Sequence, residues 1–574
     1  MKRFLKFYFL LFVSIVFSQE KYLTVFEKGN GNQSATYEQV IEFYKKLDKD
    51  FATIKMDEMG LTDCGEPLHL VFFNADKKFD KKSFEKKSII LVNNGIHAGE
   101  PDGIDASMLF FRDLATGKIT IPKNTVVAVI PVYNIEGLLN RNSTSRVNQN
   151  GPEEYGFRGN GRNFDLNRDM IKSDAKNTKA LVDILHKLNP DVFIDNHVSN
   201  GADYQYSLTY IQTQPDKLGK ELGDFQKSVM TPSIVQNLKG KGVESIPYVN
   251  VWGGTPDKGY VQFFDSPRYT TGYTSLFNMI GYVVETHMLK EYSKRVEATY
   301  RFMESLLQFV DNNSEKLKSI RKKNSEQYFV GGKYPVQWKL DSTKVEKMNF
   351  LGYEGSYKKS DVTTGNRLFY DRAKPFDKEI DFYPNYKSIK EVVIPKGYII
   401  PKSWWNVIDL LKQNNCQYSI LKKDTVIEVE SYKIADYKTS TSAYEGHYNH
   451  RNTKVTSSVQ KIKFSKGDYL FLVNQASFKY LLETLEPEAM DSFFNWNFFD
   501  TILQQKEGYS EYVFEDLANE IMKQNPDLRK QLEEKRNSDK TFAERPEAQL
   551  DWVYKNSVHY EKAHLQYPVY RIIK

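Results

Sequence analysis

The stretch SIILVNNGIHAGEPDGIDASMLFFRDLATGK, residues 88–118, decides how this chain folds. Residues 89–94 form a short apolar run ending on polar residues, the pattern of a buried strand. A helix is predicted over DGIDASMLFFRDLATGK. Asp102 is placed to cap its N-terminus, Met108, Leu109 and Phe111 share an apolar face, and Gly117 ends it. Between strand and helix lie His97 and Glu100, three residues apart. Gly95 and Gly99 would let the backbone bend between them.

The same alternation continues outward to about residue 310. TVVAVIPVYN (125–134), DVFIDNH (191–197) and IGYVVETH (280–287) read as buried strands. DAKNTKALVDILHKLNP (174–190) and the segment 293–313 read as amphipathic helices. Strands alternating with helices predict an α/β fold. Its sheet is mixed, largely parallel and flanked by helices on both faces.

From about residue 320 the texture changes. DTVIEVESYKI and SVQKIKFSKGDYLFLV are short alternating runs between turn residues, a β-rich pattern, with one amphipathic helix inside KGYIIPKSWWNVIDLLKQNN. Beyond about 485 the pattern turns helical. The expected organisation is a leader over 1–18, an α/β domain over 19–320, a β-rich accessory domain over 321–485 and a helical C-terminal segment over 486–574 packed on one of them. The leader rests on Lys2, Arg3 and Lys6 ahead of an apolar run from Phe7 to Phe17, too short to span a bilayer comfortably. It predicts a secreted or periplasmic protein whose mature chain has no integral membrane segment.

Composition narrows the function. The 574 residues carry 80 basic and 74 acidic side chains, a net charge of only +6. That mixed surface argues against a nucleic-acid partner. Two cysteines, Cys64 and Cys416, are too few for a disulfide scaffold or a cysteine-based metal site, and unpaired thiols are the expectation. A metal would therefore have to use histidine and carboxylate. Such groups converge: His97 and Glu100 follow one strand, His197 ends another, and Glu285 ends a third. Ligands of open α/β sheets bind beyond the carboxyl ends of strands, so all four are predicted on one edge. Two imidazoles and a carboxylate, with a fourth position left to water, suit one Zn2+ per chain.

With those residues in view, the chain resembles the zinc carboxypeptidases of the carboxypeptidase A type, over roughly residues 35–310. HAGEPDG resembles that family's first metal motif, His197 its distant third ligand, and RNFDLNRD (162–169) its Asp-x-Asn-Arg segment. The resemblance implies that His97, Glu100 and His197 hold zinc and that Asp165 orients His97. Asn167 and Arg168 would grip the substrate's terminal carboxylate, and Glu285 would be the catalytic glutamate. It also implies an arginine for the oxyanion, here Arg146 with Arg141 second, and a mobile tyrosine. No tyrosine fits the family spacing; Tyr260, Tyr269 and Tyr273 straddle it, and Tyr273 is favoured. Arg268 nearby would favour acidic terminal side chains, and the neighbouring aromatics apolar ones.

The implied function is a zinc-dependent metallocarboxypeptidase acting on peptides with a free C-terminal carboxylate, through a zinc-activated water and a glutamate base. Two rivals remain open. One is a zinc amidohydrolase of the same fold acting on peptidoglycan stem peptides or N-acyl amino acids. The other is a non-catalytic binding protein on a peptidase fold.

Overall fold

A computed structural model describes residues 21–573. The expected leader lies outside the described residues. The first half of the chain contributes β1 (Ile54–Leu61), β2 (Pro67–Phe73), β3 (Ser88–Asn94), β4 (Thr125–Ile130), β5 (Val192–Ser199), β6 (Leu208–Gln212), β7 (Ser245–Pro247), β8 (Tyr260–Val261) and β9 (Ile280–His287). All but β8 form one eight-stranded sheet in the order β1-β2-β4-β3-β5-β9-β6-β7. The central strands β4, β3, β5 and β9 run parallel; β2 joins β4, and β6 joins β9, in the antiparallel sense. The expected mixed, largely parallel sheet is therefore present.

The parallel strands β3, β5 and β9 are apolar over their first halves, where both faces are covered, and turn polar toward their carboxyl ends. In β3, Ile89 and Leu91 enter one core while Ile90 and Val92 enter the other. The helix Lys176–Leu188 covers the first face with Leu181, Ile184 and Leu185, and Asp102–Thr116 and Tyr292–Asn312 cover the second. Burying each such aliphatic side chain contributes roughly 1.5–3 kcal/mol. Gly117 ends its helix in the left-handed region at φ 72°, as its position suggests. Asp102 does not cap that helix. It is the first helical residue, and its carboxylate instead accepts from buried Arg295 at 2.8 Å and from Thr286 at 2.9 Å. The charge of Arg295 outcompetes a capping role.

The second half supplies β10 (Lys333–Leu340), β11 (Glu346–Lys359), β12 (Asn366–Tyr383), β13 (Tyr386–Val393), β14 (Gly397–Ile400), β15 (Ser419–Ile420), β16 (Thr425–Thr439), β17 (His450–Phe464), β18 (Tyr469–Leu472) and β19 (Tyr570–Ile572). β10 pairs with β13, β11 and β12 form a long hairpin alongside β8, and the rest make a six-stranded antiparallel sheet ordered β15-β18-β14-β19-β16-β17. The interrupting helix, Trp405–Gln413, lies where its periodicity places it. This half shares one apolar core with the eight-stranded sheet: Leu181 and Phe193 belong to the same cluster as Tyr398, Leu411, Phe471 and Trp496.

The C-terminal segment does fold into helices, Glu511–Gln524, Pro526–Ser538 and Pro546–Lys555, around a small core of their own. The chain then returns, and β19 inserts between β14 and β16, which do not pair with each other. The tail is thus helices plus a closing strand, held by Arg571 ion-paired to Glu430 and Glu486. Cys64 is exposed and Cys416 buried, and neither is bonded to the other. Among the described residues no helix is long and apolar enough to cross a membrane.

Candidate active site

The turn after β3 begins at Gly95, whose φ of +67° is open to glycine at little cost. Gly99 serves a different need from the expected bend: a Cβ there would meet the Arg146 side chain at 2.8 Å. Its absence lets Arg146 lie across the loop. His97 and Glu100 emerge from this turn, and His197 and Glu285 are register partners on the adjacent parallel strands β5 and β9. Residues distant in sequence so meet at the carboxyl edge of three neighbouring strands.

His97, Glu100 and His197 are all buried, and one ligand atom from each lies within 4.8 Å of the others; no other such histidine–carboxylate group occurs among the described residues. The two Nδ1 atoms are 3.1 Å apart, and the Glu100 oxygens lie 3.2 Å from His97 Nδ1 and 3.1 Å from His197 Nδ1. His97 Nε2 is hydrogen-bonded to Asp165 Oδ1 at 3.0 Å, which places the proton of a neutral His97 on Nε2 and turns its Nδ1 lone pair inward. His197 Nε2 lies 3.2 Å from Asp195 Oδ2 without hydrogen-bond geometry, and its Nδ1 faces the same spot beside the Glu100 carboxylate. Converging lone pairs and negative charge repel one another unless a cation sits among them, so this donor set fits a zinc ion.

Burial opposes ionisation of Glu100, but positive charge beside it, from His97 and His197 when protonated and from Arg146, outweighs burial and holds the carboxyl well below the usual range; a cation among the three side chains would serve in place of those protons. Burial likewise opposes the Asp165 anion, and His97 with Arg158 overcomes it. Glu285 is only partly exposed, and burial pushes it up to about 7, with His197 opposing and Glu100 adding to the shift. A carboxyl tuned in this way suits proton transfer near neutrality.

The remaining expected residues divide. Arg146 is at the site: Nη1 donates to Glu100 Oε1 at 2.7 Å and Nη2 to the Val198 carbonyl at 3.3 Å. Arg141 is a structural group, spent on the Ser34, Ala35 and Glu154 carbonyls. Asn167 and Arg168 lie on a short turn, Leu166–Arg168, fixed by Asp165 Oδ1 accepting from the Asn167 N–H at 3.0 Å. The Arg168 guanidinium lies 4.6 Å from the Tyr269 ring centroid. Asn167 Oδ1 is buried without a partner among the described residues, open to a donor that arrives with a ligand.

Tyr273 must be withdrawn from the site. It is fully buried, its hydroxyl held by Asn414 and His186 and its ring against Tyr480. Tyr260 is also core, bonded to the Pro247 carbonyl. The tyrosine within the field of Glu285 and Glu100 is Tyr248, whose hydroxyl burial and those carboxylates push upward. Three groups escape a reading of the sequence: Tyr248, Arg158 and Asp195. Arg158 lies 2.8 Å from Asp165 Oδ2 and 3.6 Å from Glu100 Oε1. Asp195 is fixed by Asn93 at 3.0 Å and Thr270 at 2.7 Å. Only Asp195 had a usable signal, because it precedes His197 by two on the same face of a strand.

No family model matches the chain. Carboxypeptidase 2 of Trichophyton rubrum is 21% identical over 490 residues, 81% of this chain and 84% of that protein. The probable carboxypeptidase 2 of Arthroderma benhamiae is 20% identical over 493 residues, 81% and 86% of the two chains. These alignments are longer than the segment 19–320, so the similarity reaches into the accessory half. Among solved structures, a metallo-carboxypeptidase from Burkholderia cenocepacia superposes on 49% of this chain and 70% of its own, at a TM-score of 0.37 and 13% identity. The carboxypeptidase A of Helicoverpa armigera gives 50%, 75%, 0.37 and 13% in the same terms. Superpositions this loose add no weight. The chain is thus similar, over most of its length and most of theirs, to proteins named carboxypeptidase, and the buried cluster of His97, Glu100 and His197 is a possible metal site.

Proposed function

We propose that this chain is a secreted or periplasmic zinc metallocarboxypeptidase that removes C-terminal residues from peptides. The observation that carries the reading is the convergence of His97, Glu100 and His197, each outer imidazole nitrogen backed by a carboxylate, beside Glu285. A bound zinc supplies Lewis acidity, lowering the pKa of water and polarising a carbonyl. Arg168 binds the substrate's terminal carboxylate, with Asn167 beside it as a polar partner. Glu285 accepts the proton of the attacking water and passes it to the leaving amine. Arg146 and Arg158 both stand within 3.6 Å of Glu100, and either can donate to a developing oxyanion from there.

The test joins metal analysis of the purified protein with mass spectrometry of a digested peptide mixture. One zinc per chain and ladders shortened from the C-terminus are expected. Undiminished cleavage of C-terminally amidated peptides would favour the broader amidohydrolase reading. A protein without metal or hydrolysis would be a binding protein.

A further inference from the structure

The accessory half meets the predicted carboxylate grip through one turn. Tyr444–His447 lies between β16 and β17 and is applied to the segment from Phe164 to Arg168. Glu445 Oε2 accepts from the Asp165 backbone N–H at 2.8 Å. Glu445 adopts φ +50°, a left-handed conformation that a glutamate seldom takes without other contacts holding it. Two contacts fix the turn on either side. His447 Nε2 lies 2.8 Å from Asp174 Oδ2, which Lys172 also reaches at 2.9 Å. The Arg268 guanidinium lies beside the stacked Tyr444 and Trp496 rings, at 5.7 and 5.0 Å from their centroids, and binds buried Asp491 through Nε at 2.8 Å and Nη2 at 2.6 Å. The charge of Arg268 is thus answered by the accessory half and is not free to select acidic side chains.

Asp165 is the hinge of this arrangement. Its side chain receives His97 Nε2, the Asn167 N–H and Arg158, while its own N–H is given to Glu445. Whatever holds that backbone amide sets where Asn167 and Arg168 point. We infer that the accessory half is part of the active site, and that Glu445 is a positioning residue which holds the Asp165–Arg168 segment in register to receive a terminal carboxylate. The inference rests on the carboxypeptidase reading.

Glu445 acts by accepting an N–H, so an amide oxygen can replace it. Glu445→Ala should raise KM for peptides with a free C-terminus by about tenfold, the scale of one hydrogen bond, with the effect on KM rather than kcat. Glu445→Gln should restore KM to within about threefold of wild type. Calorimetric binding of a short free-carboxylate peptide product should show the same pattern without turnover, with thermal unfolding as the check on folding. If Glu445→Ala does not fold, His447→Ala, which releases the turn at its other anchor, should raise KM in the same direction. The inference falls if Glu445→Ala or its substitute leaves KM and peptide binding unchanged, or if Glu445→Gln loses as much as Glu445→Ala. The underlying reading fails separately, and visibly, if wild type does not distinguish free from amidated C-termini.

Discussion

Two sheets in this chain are built on opposite terms. Every residue of β3, β4 and β5 is buried, whereas β17, fifteen residues long, buries only His450, Thr453 and Phe464. A strand covered on both faces cannot shift register without forcing polar groups into a core, so its end is a fixed platform. The proposed metal ligands stand at the ends of β3 and β5, and the proposed base at the end of the neighbouring β9. Strands such as β17 are mostly solvated, and that half meets the Asp165–Arg168 segment through the turn that carries Glu445. Rigid strands therefore place the reacting groups, and a softer region sets what those groups can grip.

The sharpest way to break this contrast is at the strand ends themselves. Glu285→Gln keeps the strand pairing and the ligand set, so zinc content should stay at one per chain. Loss of the general base should lower kcat by about 10²–10⁴-fold. Full activity in that variant would remove Glu285 from the chemistry. The pH profile tests the same group from another side. Glu285 is a base only when ionised, and its carboxyl is pushed up to about 7. A bound dication draws that value down, so kcat/KM should fall with acid at or below about pH 7 and be flat just above. An acid limb well above 7 would point to a different base.

One step further from the reaction, Asp165 and Asp195 each fix one imidazole, but from different surroundings. Asp165 lies on a turn anchored from the accessory half, and Asp195 within β5. Asp165→Ala and Asp195→Ala should each weaken zinc binding by about 10–100-fold, measured by competition with a chelating dye. Only the Asp165 variant should also raise KM for free-carboxylate peptides, since Asp165 alone accepts the Asn167 N–H. Equal KM effects would mean that the turn and the strand are not independent.

The same contrast explains what could be read in advance. Strand β3, its helix and the HAGE turn were legible because apolar periodicity and a metal motif lie within one short stretch. His197 and Glu285 were legible because strand ends converge in this class of sheet. Arg158 and Tyr248 left no mark, since they act through contacts across the chain and have no local pattern. Tyr273 misled because spacing to a glutamate says nothing of which face of the sheet a helix covers. Its helix, Thr270–Ser275, turns it into the core under Tyr480. β19 was invisible for a related reason: three residues show no periodicity, and their role comes from the gap between β14 and β16. Glu445 would have passed as one more solvated acid in YEGHYNH.

The smallest effect closes the comparison between the two sheets. Leu91 in β3 is wholly buried, while Val459 in β17 is 60% exposed. Leu91→Ala removes apolar surface and leaves a cavity that two packed faces cannot collapse, a loss of about 2–5 kcal/mol in denaturant unfolding. Val459→Ala removes atoms already in water and should change stability by no more than about 0.5 kcal/mol. If Val459→Ala cost as much as Leu91→Ala, a partner or a further layer would have to cover β17 in solution, and the accessory sheet would be as rigid a platform as the catalytic one.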